Sequence, residues 1–309
     1  MGFSATLAAV VTALAASLCY AVGAALQQHQ ASRAATGRLV HPGLLWQVVR
    51  RPVWLAGFAV MLTGEVLHVL ALAWAPLAVV QPIGVTTVLF ALPVGAVVAR
   101  ARPHLRELTA ATITVGGLAA LLAGMHVSTA PPALADRDLA LLIPVVGGGL
   151  GVLVALALRS SAGVRTVLLA CNAGAMFGTT AALVRLLTHR IAIDGAAGLV
   201  GWATPVAVAT AVMGMLLEQA AYKSGQLGVA VGGYTVTDPL VAVAVGAWLL
   251  HQPARFEHPL LSVAEALTVV AGVVLLARKP AAPTPRADAP RPDPSALKIK
   301  REPLPTGVR

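Results

Sequence analysis

Residues 53–74 read VWLAGFAVMLTGEVLHVLALAW and residues 77–99 read LAVVQPIGVTTVLFALPVGAVVA, two apolar runs joined by Ala75-Pro76 and interrupted by one acidic residue, Glu65. At about 1.5 Å of rise per residue, each run makes a helix long enough to cross roughly 30 Å of hydrocarbon. The two-residue connection then folds the second helix back beside the first. Working outward, comparable runs lie near 4–26, 109–125, 139–158, 166–187, 200–222, 228–250 and 260–277. Of 309 residues, 58% are apolar and 11% charged, where a soluble domain carries roughly a quarter charged residues. The expected fold is therefore all-α: a polytopic membrane bundle of about nine spans over 1–278.

The first run has no basic residue before it and several after it, unlike a cleaved signal peptide with its positive leading region, and is read as a true span. Placing the N-terminus outside puts Arg33, Arg38, Arg50, Arg51, Arg100, Arg102, Arg106, Arg159, Arg165, Lys223 and the basic residues from Arg278 onward on the inner side. That is 18 of the 22 Lys and Arg residues. Arg137, Arg185, Arg190 and Arg255 are left outside. The positive-inside bias thus predicts nine spans in the cytoplasmic (inner) membrane, N-terminus out and C-terminus in.

After Arg278 the composition turns to Pro, Ala and charge, so residues 279–309 are expected to form a disordered, Pro-rich basic cytosolic tail. The net charge of +10 sits in this tail and in the loops, without a basic stripe interleaved with aromatics, and nucleic acid is excluded as a partner. The two cysteines, Cys19 and Cys171, lie inside apolar runs and read as packing residues, with no disulfide framework and no cofactor implied.

Offsetting the chain by 150 residues aligns Ala71 with Ala221, Leu77 with Leu227, Val79 with Val229, Pro103 with Pro253 and Glu107 with Glu257. After a short gap, Gly116 and Gly117 fall near Gly272. Spans two to four therefore resemble spans seven to nine, within halves of about 1–125 and 139–278, and the topology gives the triplets opposite orientations. Inverted repeats let two similar halves rock around a midplane site, which is a transporter device. Gly147/Gly151, Gly174/Gly178 and Gly228/Gly232, each four apart, are expected to let helices pack closely.

The run Gly64-Glu65 through Trp74-Ala75-Pro76 to Gln81-Pro82-Ile83-Gly84 resembles the drug/metabolite transporter (EamA-like) superfamily, and within it the NIPA-like magnesium transporters. These share a Gly-Glu start, an Ala-Pro turn and a Pro-Leu-Gly element. Tyr20-Ala21-Val22-Gly23-Ala24-Ala25-Leu26-Gln27-Gln28 is similar to the family's opening segment. The chain departs from it at Val229-Ala230-Val231-Gly232-Gly233-Tyr234, where the family carries Val-Thr-Pro and an aromatic pair; here the proline comes later, at Pro239. The resemblance implies a transporter rather than an enzyme, with magnesium as an inherited substrate expectation.

Intramembrane carboxylates cost about 2.5–3.5 kcal/mol to insert, so each marks a candidate site. Glu65 lies near the middle of the second span and Asp238 near the middle of the eighth, one from each repeat, and both are the expected metal ligands. Pro239, next to Asp238, is expected to free backbone carbonyls for a cation. His68, Gln81, Asn172, Glu218 and Tyr234 complete the candidate substrate-binding set, Glu218 with Gln219 reading equally as a gate or a snorkelling pair. Glu65-x-x-His68 has the spacing of a di-iron ligand pair, but no second copy occurs. A hydrated divalent cation needs one or two carboxylates. A small metabolite or drug exported in exchange for protons needs one that binds and releases a proton. A membrane-embedded enzyme is the weaker class. The expected partners are the solute or cation and the lipid bilayer, with a homodimer admitted.

Overall fold

The computed structural model describes residues 3–34, 39–75, 77–100, 104–127, 136–249 and 251–278. The tail expected over 279–309 lies outside the described residues. Each apolar run has become helix. The elements are α1 (Phe3–Ala31), α2 (Pro42–Val49), α3 (Pro52–Trp74), α4 (Leu77–Gly84), α5 (Thr87–Val98), α6 (Leu105–Ala123), α7 (Asp136–Arg159), α8 (Ala162–Asp194), α9 (Ala203–Ser224), α10 (Leu227–Leu249) and α11 (Pro259–Ala277). Among the described residues, eight spans are long and apolar enough to cross a membrane, α4 and α5 together making one of them, and α7 adds a shorter apolar stretch, Val146–Arg159.

Large apolar side chains cover the outside, while the apolar core also takes in polar ones. Val66, Val69, Leu260 and Leu267 are more than half exposed, whereas Ser17, Gln27, Thr114, Glu218 and Gln219 are buried. Water would penalise that outer surface, and hydrocarbon does not. The chain is a polytopic α-helical membrane protein.

Two short strands, β1 (Met125–Val127) and β2 (Ala254–Phe256), pair antiparallel with His126 opposite Arg255. Helices α7, α8, α9 and α10 lie between them in the chain, so the strands share one end of the bundle only if those four make an even number of passes. This counts α7 as a pass. At the other end, Lys223 Nζ donates to the Ala34 carbonyl (2.8 Å), Gln28 Nε2 to that of Gly225 (3.4 Å), and the Thr166 and Ser224 hydroxyls bond at 3.0 Å. We call these the strand end and the basic end. The positive-inside bias expects the basic end in the cytoplasm. Alkaline phosphatase fused after Val127 should then be active and fused after Ser224 inactive; the reverse pattern would invert the assignment.

α1 packs on α3 and α5, α8 packs on α9 and α10, α6 meets α11, and α5 meets α10. At the α6–α11 crossing a Cβ on Gly117 would stand 3.1 Å from Thr268 and Val269 side chains, and one on Gly272 would stand 2.7 Å from the Thr114 nitrogen. Neither helix could approach so closely with a side chain there. Gly147 and Gly151 behave differently: among the described residues nothing lies within 4 Å of a Cβ on either, so the close contact expected of that pair is not made there.

The third span, read from sequence as one helix, is broken. α4 ends at Gly84 and α5 starts at Thr87. The Ile83 carbonyl at the break accepts from Thr86 Oγ1 (2.6 Å) and Ser17 Oγ (3.1 Å), and Gly84 accepts from Thr87 Oγ1 (2.8 Å). Side-chain hydroxyls thus satisfy groups that lipid could not. By contrast α10 runs as helix through Pro239, whose missing N–H leaves the carbonyl one turn back without its usual donor.

Candidate functional site

Glu65 is exposed on α3, next to the half-buried Phe58, Met61, His68 and Leu72, while Leu62, Val66, Val69 and Leu70 are exposed as well. The Tyr20 hydroxyl of α1 donates to Glu65 Oε2 at 2.6 Å. Gly64 makes this possible, because a Cβ there would meet the Ala16 carbonyl at 3.1 Å and the Tyr20 ring at 3.2 Å.

Asp238 reaches the same centre from α10. Its carboxylate is in electrostatic reach of both Glu65 and the Tyr20 hydroxyl. Measured from the basic end of each helix, Tyr20 and Asp238 stand about 17 Å deep and Glu65 about 20 Å deep. Two glycines of α8 fix α10 here. A Cβ on Gly174 would meet the Tyr234 carbonyl at 2.6 Å and the Asp238 nitrogen at 3.0 Å, and one on Gly178 would overlap the Asp238 carbonyl oxygen.

A second carboxylate cluster continues toward the basic end. The Tyr222 hydroxyl donates to Glu218 Oε1 at 2.8 Å and lies 3.4 Å from the Tyr234 hydroxyl, the two rings meeting edge to face. Tyr234 is in turn in electrostatic reach of Asp238, one helical turn away on α10. The chain holds three tyrosines. Tyr20 bonds Glu65, Tyr222 bonds Glu218, and Tyr234 lies beside Tyr222 within electrostatic reach of Asp238.

Burial changes along α10 at this point. Every residue from Leu227 to Gly233 is buried, and every residue from Tyr234 to Val243 is half-buried. Below the change, Trp54 Nε1 donates to Gln219 Oε1 (3.0 Å), Gln219 Nε2 to Gln27 Oε1 (2.7 Å), and Gln27 Nε2 to Met61 Sδ (2.8 Å), tying α1, α3 and α9 together. Arg51 adds a bond from the base of α3 to Gln30 (3.2 Å). Polar contacts therefore tie α1, α3 and α9 together near the basic end, where α10 is also most deeply buried. Glu218 and Gln219 are both buried, so they do not snorkel. Gln219 belongs to the clasp.

The other candidates are more scattered. His68 faces the α4 break, with its Cε1 at 4.0 Å from a Cβ on Gly84, and Gln81 is half-buried on α4. Asn172 is buried but gives its amide to the Leu168 carbonyl of its own helix at 3.0 Å. Among the described residues no three His, Cys, Asp or Glu side chains assemble as a metal cage. Glu65 and Asp238 could hold a cation only through one or two carboxylates and retained water. A cavity of about 250 Å³ opens at the basic end, lined by Gln28, His104, Glu107 and Gln226 among others, and none of the candidate site residues lines it.

Sequence reasoning missed Tyr20, Tyr222, Trp54 and Gln27 as members of this centre. A signal was present: Glu218-x-x-x-Tyr222 and Tyr234-x-x-x-Asp238 each place a tyrosine one turn from a carboxylate, on the same helical face.

Fold and site together define a multi-pass helical membrane protein with a carboxylate–tyrosine centre. Among curated proteins, an uncharacterized protein of Corynebacterium glutamicum is 26% identical over 278 residues, covering 87% of this chain and 94% of its own length. No family model matches the chain, and no solved structure matches it.

Proposed function

We propose that the protein is a secondary transporter, of the drug/metabolite transporter type, that moves a small solute across the membrane by alternating access around Glu65 and Asp238. The observation that supports this most is that two midspan carboxylates, Glu65 and Asp238, lie within electrostatic reach of each other and of Tyr20, whose hydroxyl bonds Glu65. Intramembrane carboxylates are costly to insert and so mark substrate or ion paths. The burial gradient along α10 and the Trp54–Gln219–Gln27 clasp fit one state of such a cycle, tied together near the basic end.

Magnesium or another divalent cation, carried with part of its water shell, is the first substrate class, since one or two carboxylates suffice to hold it. Proton-coupled export of a small metabolite or drug is the second reading. It is favoured by the tyrosines beside Glu65, Asp238 and Glu218, which offer hydroxyls for proton exchange.

Purified protein in liposomes, with a magnesium-sensitive dye and a pH dye inside, separates these readings. An inward magnesium gradient should raise the magnesium signal above that of protein-free vesicles. A pH signal that develops only when an amine drug or amino acid is added would favour proton exchange. Silence of both dyes across a panel of such solutes would overturn the transport reading.

A further inference from the structure

Glu218 is buried, yet neither repeat symmetry nor the Glu65–Asp238 centre requires a carboxylate there. It lies on α9 about 9 Å from the basic end. α9 packs on α8, α1, α2 and α10. Toward Glu218, α10 brings Tyr234 and α9 itself brings Tyr222. α1 presents the neutral Gln27, which is engaged by Gln219, and α2 buries Leu44 and Val48. α8 meets α9 through Met176, Phe177 and Thr166. The nearby cations are turned elsewhere, Lys223 to the Ala34 carbonyl and Arg51 to Gln30 and the Arg33 carbonyl. Among the described residues no cationic side chain pairs with Glu218, whose hydrogen-bond partner is Tyr222.

Tyr222 has one hydroxyl hydrogen and two acceptors in reach, Glu218 Oε1 at 2.8 Å and the Tyr234 oxygen at 3.4 Å. A charged Glu218 can only accept, so it takes that hydrogen. A protonated Glu218 can itself donate to the Tyr222 oxygen, which frees the Tyr222 hydrogen to turn to Tyr234.

We propose that Glu218 is a proton-binding site whose occupancy reverses the direction of the Glu218–Tyr222–Tyr234 hydrogen-bond chain and so reports the protonation state of the basic end to the midmembrane centre. One O–H bond forms on Glu218 as hydronium in the water gives up its proton and leaves as water; beyond that only hydrogen bonds change, as one hydroxyl rotates. The proposal rests on the transport reading for its purpose but not for its test, which needs no substrate.

The test is infrared difference spectroscopy of the purified protein in lipid during a pH titration, with ring-deuterated tyrosine as the label. Wild type should show a carboxyl band and a tyrosine band that change together. Glu218→Gln should lose both changes. Tyr222→Phe, which keeps the ring, should retain the carboxyl change at Glu218 and lose the response of Tyr234. A tyrosine response that survives in Glu218→Gln, or survives undiminished in Tyr222→Phe, would overturn the relay. A wild-type spectrum with no Glu218 carboxyl change over the range in which the protein stays folded would overturn the site. Either result leaves the liposome test of transport untouched.

Discussion

Glu65→Gln and Asp238→Asn should each yield a folded protein whose flux in liposomes falls to the level of protein-free vesicles. The two substitutions remove charge while keeping size and most hydrogen bonding. Gln at position 65 still offers Tyr20 an oxygen acceptor in place of the one now held at 2.6 Å. Neutral groups are also cheaper to hold in a low-dielectric centre, so thermal stability should hold or rise. The loss therefore reports on function and not on folding, which size-exclusion profiles and melting curves in detergent will verify. If the solute is a divalent cation, each variant should lose its binding, because the centre has two carboxylates and no cage of three ligands to fall back on. If protons drive a neutral solute, one variant should keep exchange but lose its dependence on pH. Wild-type flux in both variants at every pH would leave Glu65 and Asp238 as structural polar groups.

The positions of these two carboxylates were legible because an acid in a 20-residue apolar run has no cheap explanation. The hydroxyl partner of Glu65 was not. Tyrosine is neutral and amphipathic, and in membrane proteins it commonly marks the headgroup level, so Tyr20 carries little signal on its own. Only the approach of α1 to α3 at Gly64 turns it into a ligand for Glu65. Helix breaks were equally hard to read. Pro82, Pro93 and Pro239 all lie inside helical segments, and the chain opens only after Pro82. The deciding partners are hydroxyls, Ser17 from another helix and Thr86 and Thr87 from the break itself, and no local pattern encodes a contact between residues 17 and 83. The short helix α2 was missed for a different reason. Its eight residues cannot span a membrane. Instead it buries Leu44 and Val48 and exposes Trp46, whose ring lies 4.2 Å beneath the Arg50 guanidinium, an arrangement suited to the headgroup level.

Glycine pairs at four-residue spacing look alike in sequence but should differ sharply in mutational cost. Gly178→Leu should abolish the folded protein or lower its melting temperature severely, while Gly151→Leu should be close to silent. On α8 a Cβ at position 178 would overlap the Asp238 carbonyl oxygen and stand 2.7 Å from the Ala242 nitrogen. Both are backbone atoms, so no side chain can swing aside and the helices must separate. Separation forfeits the packing between α8 and α10, where Gly174 and Gly233 make similarly close approaches. Overpacking commonly costs about 1–3 kcal/mol and more where backbone has to move. With no hydrophobic drive to hold helices together in lipid, close contact is the main attraction being lost. Among the described residues, Gly151 has open space where its Cβ would stand, and a substitution there should fall within about 0.5 kcal/mol of wild type. Gly178→Ala is the graded probe. It should fold poorly yet, where folded, displace Asp238 from Tyr20 and reduce flux more than it reduces yield. Melting curves for the three variants, run beside liposome flux, measure both effects. A Gly178→Leu protein with wild-type stability would mean that α8 and α10 do not approach as closely as the site requires, and would remove the support that holds Asp238 opposite Glu65.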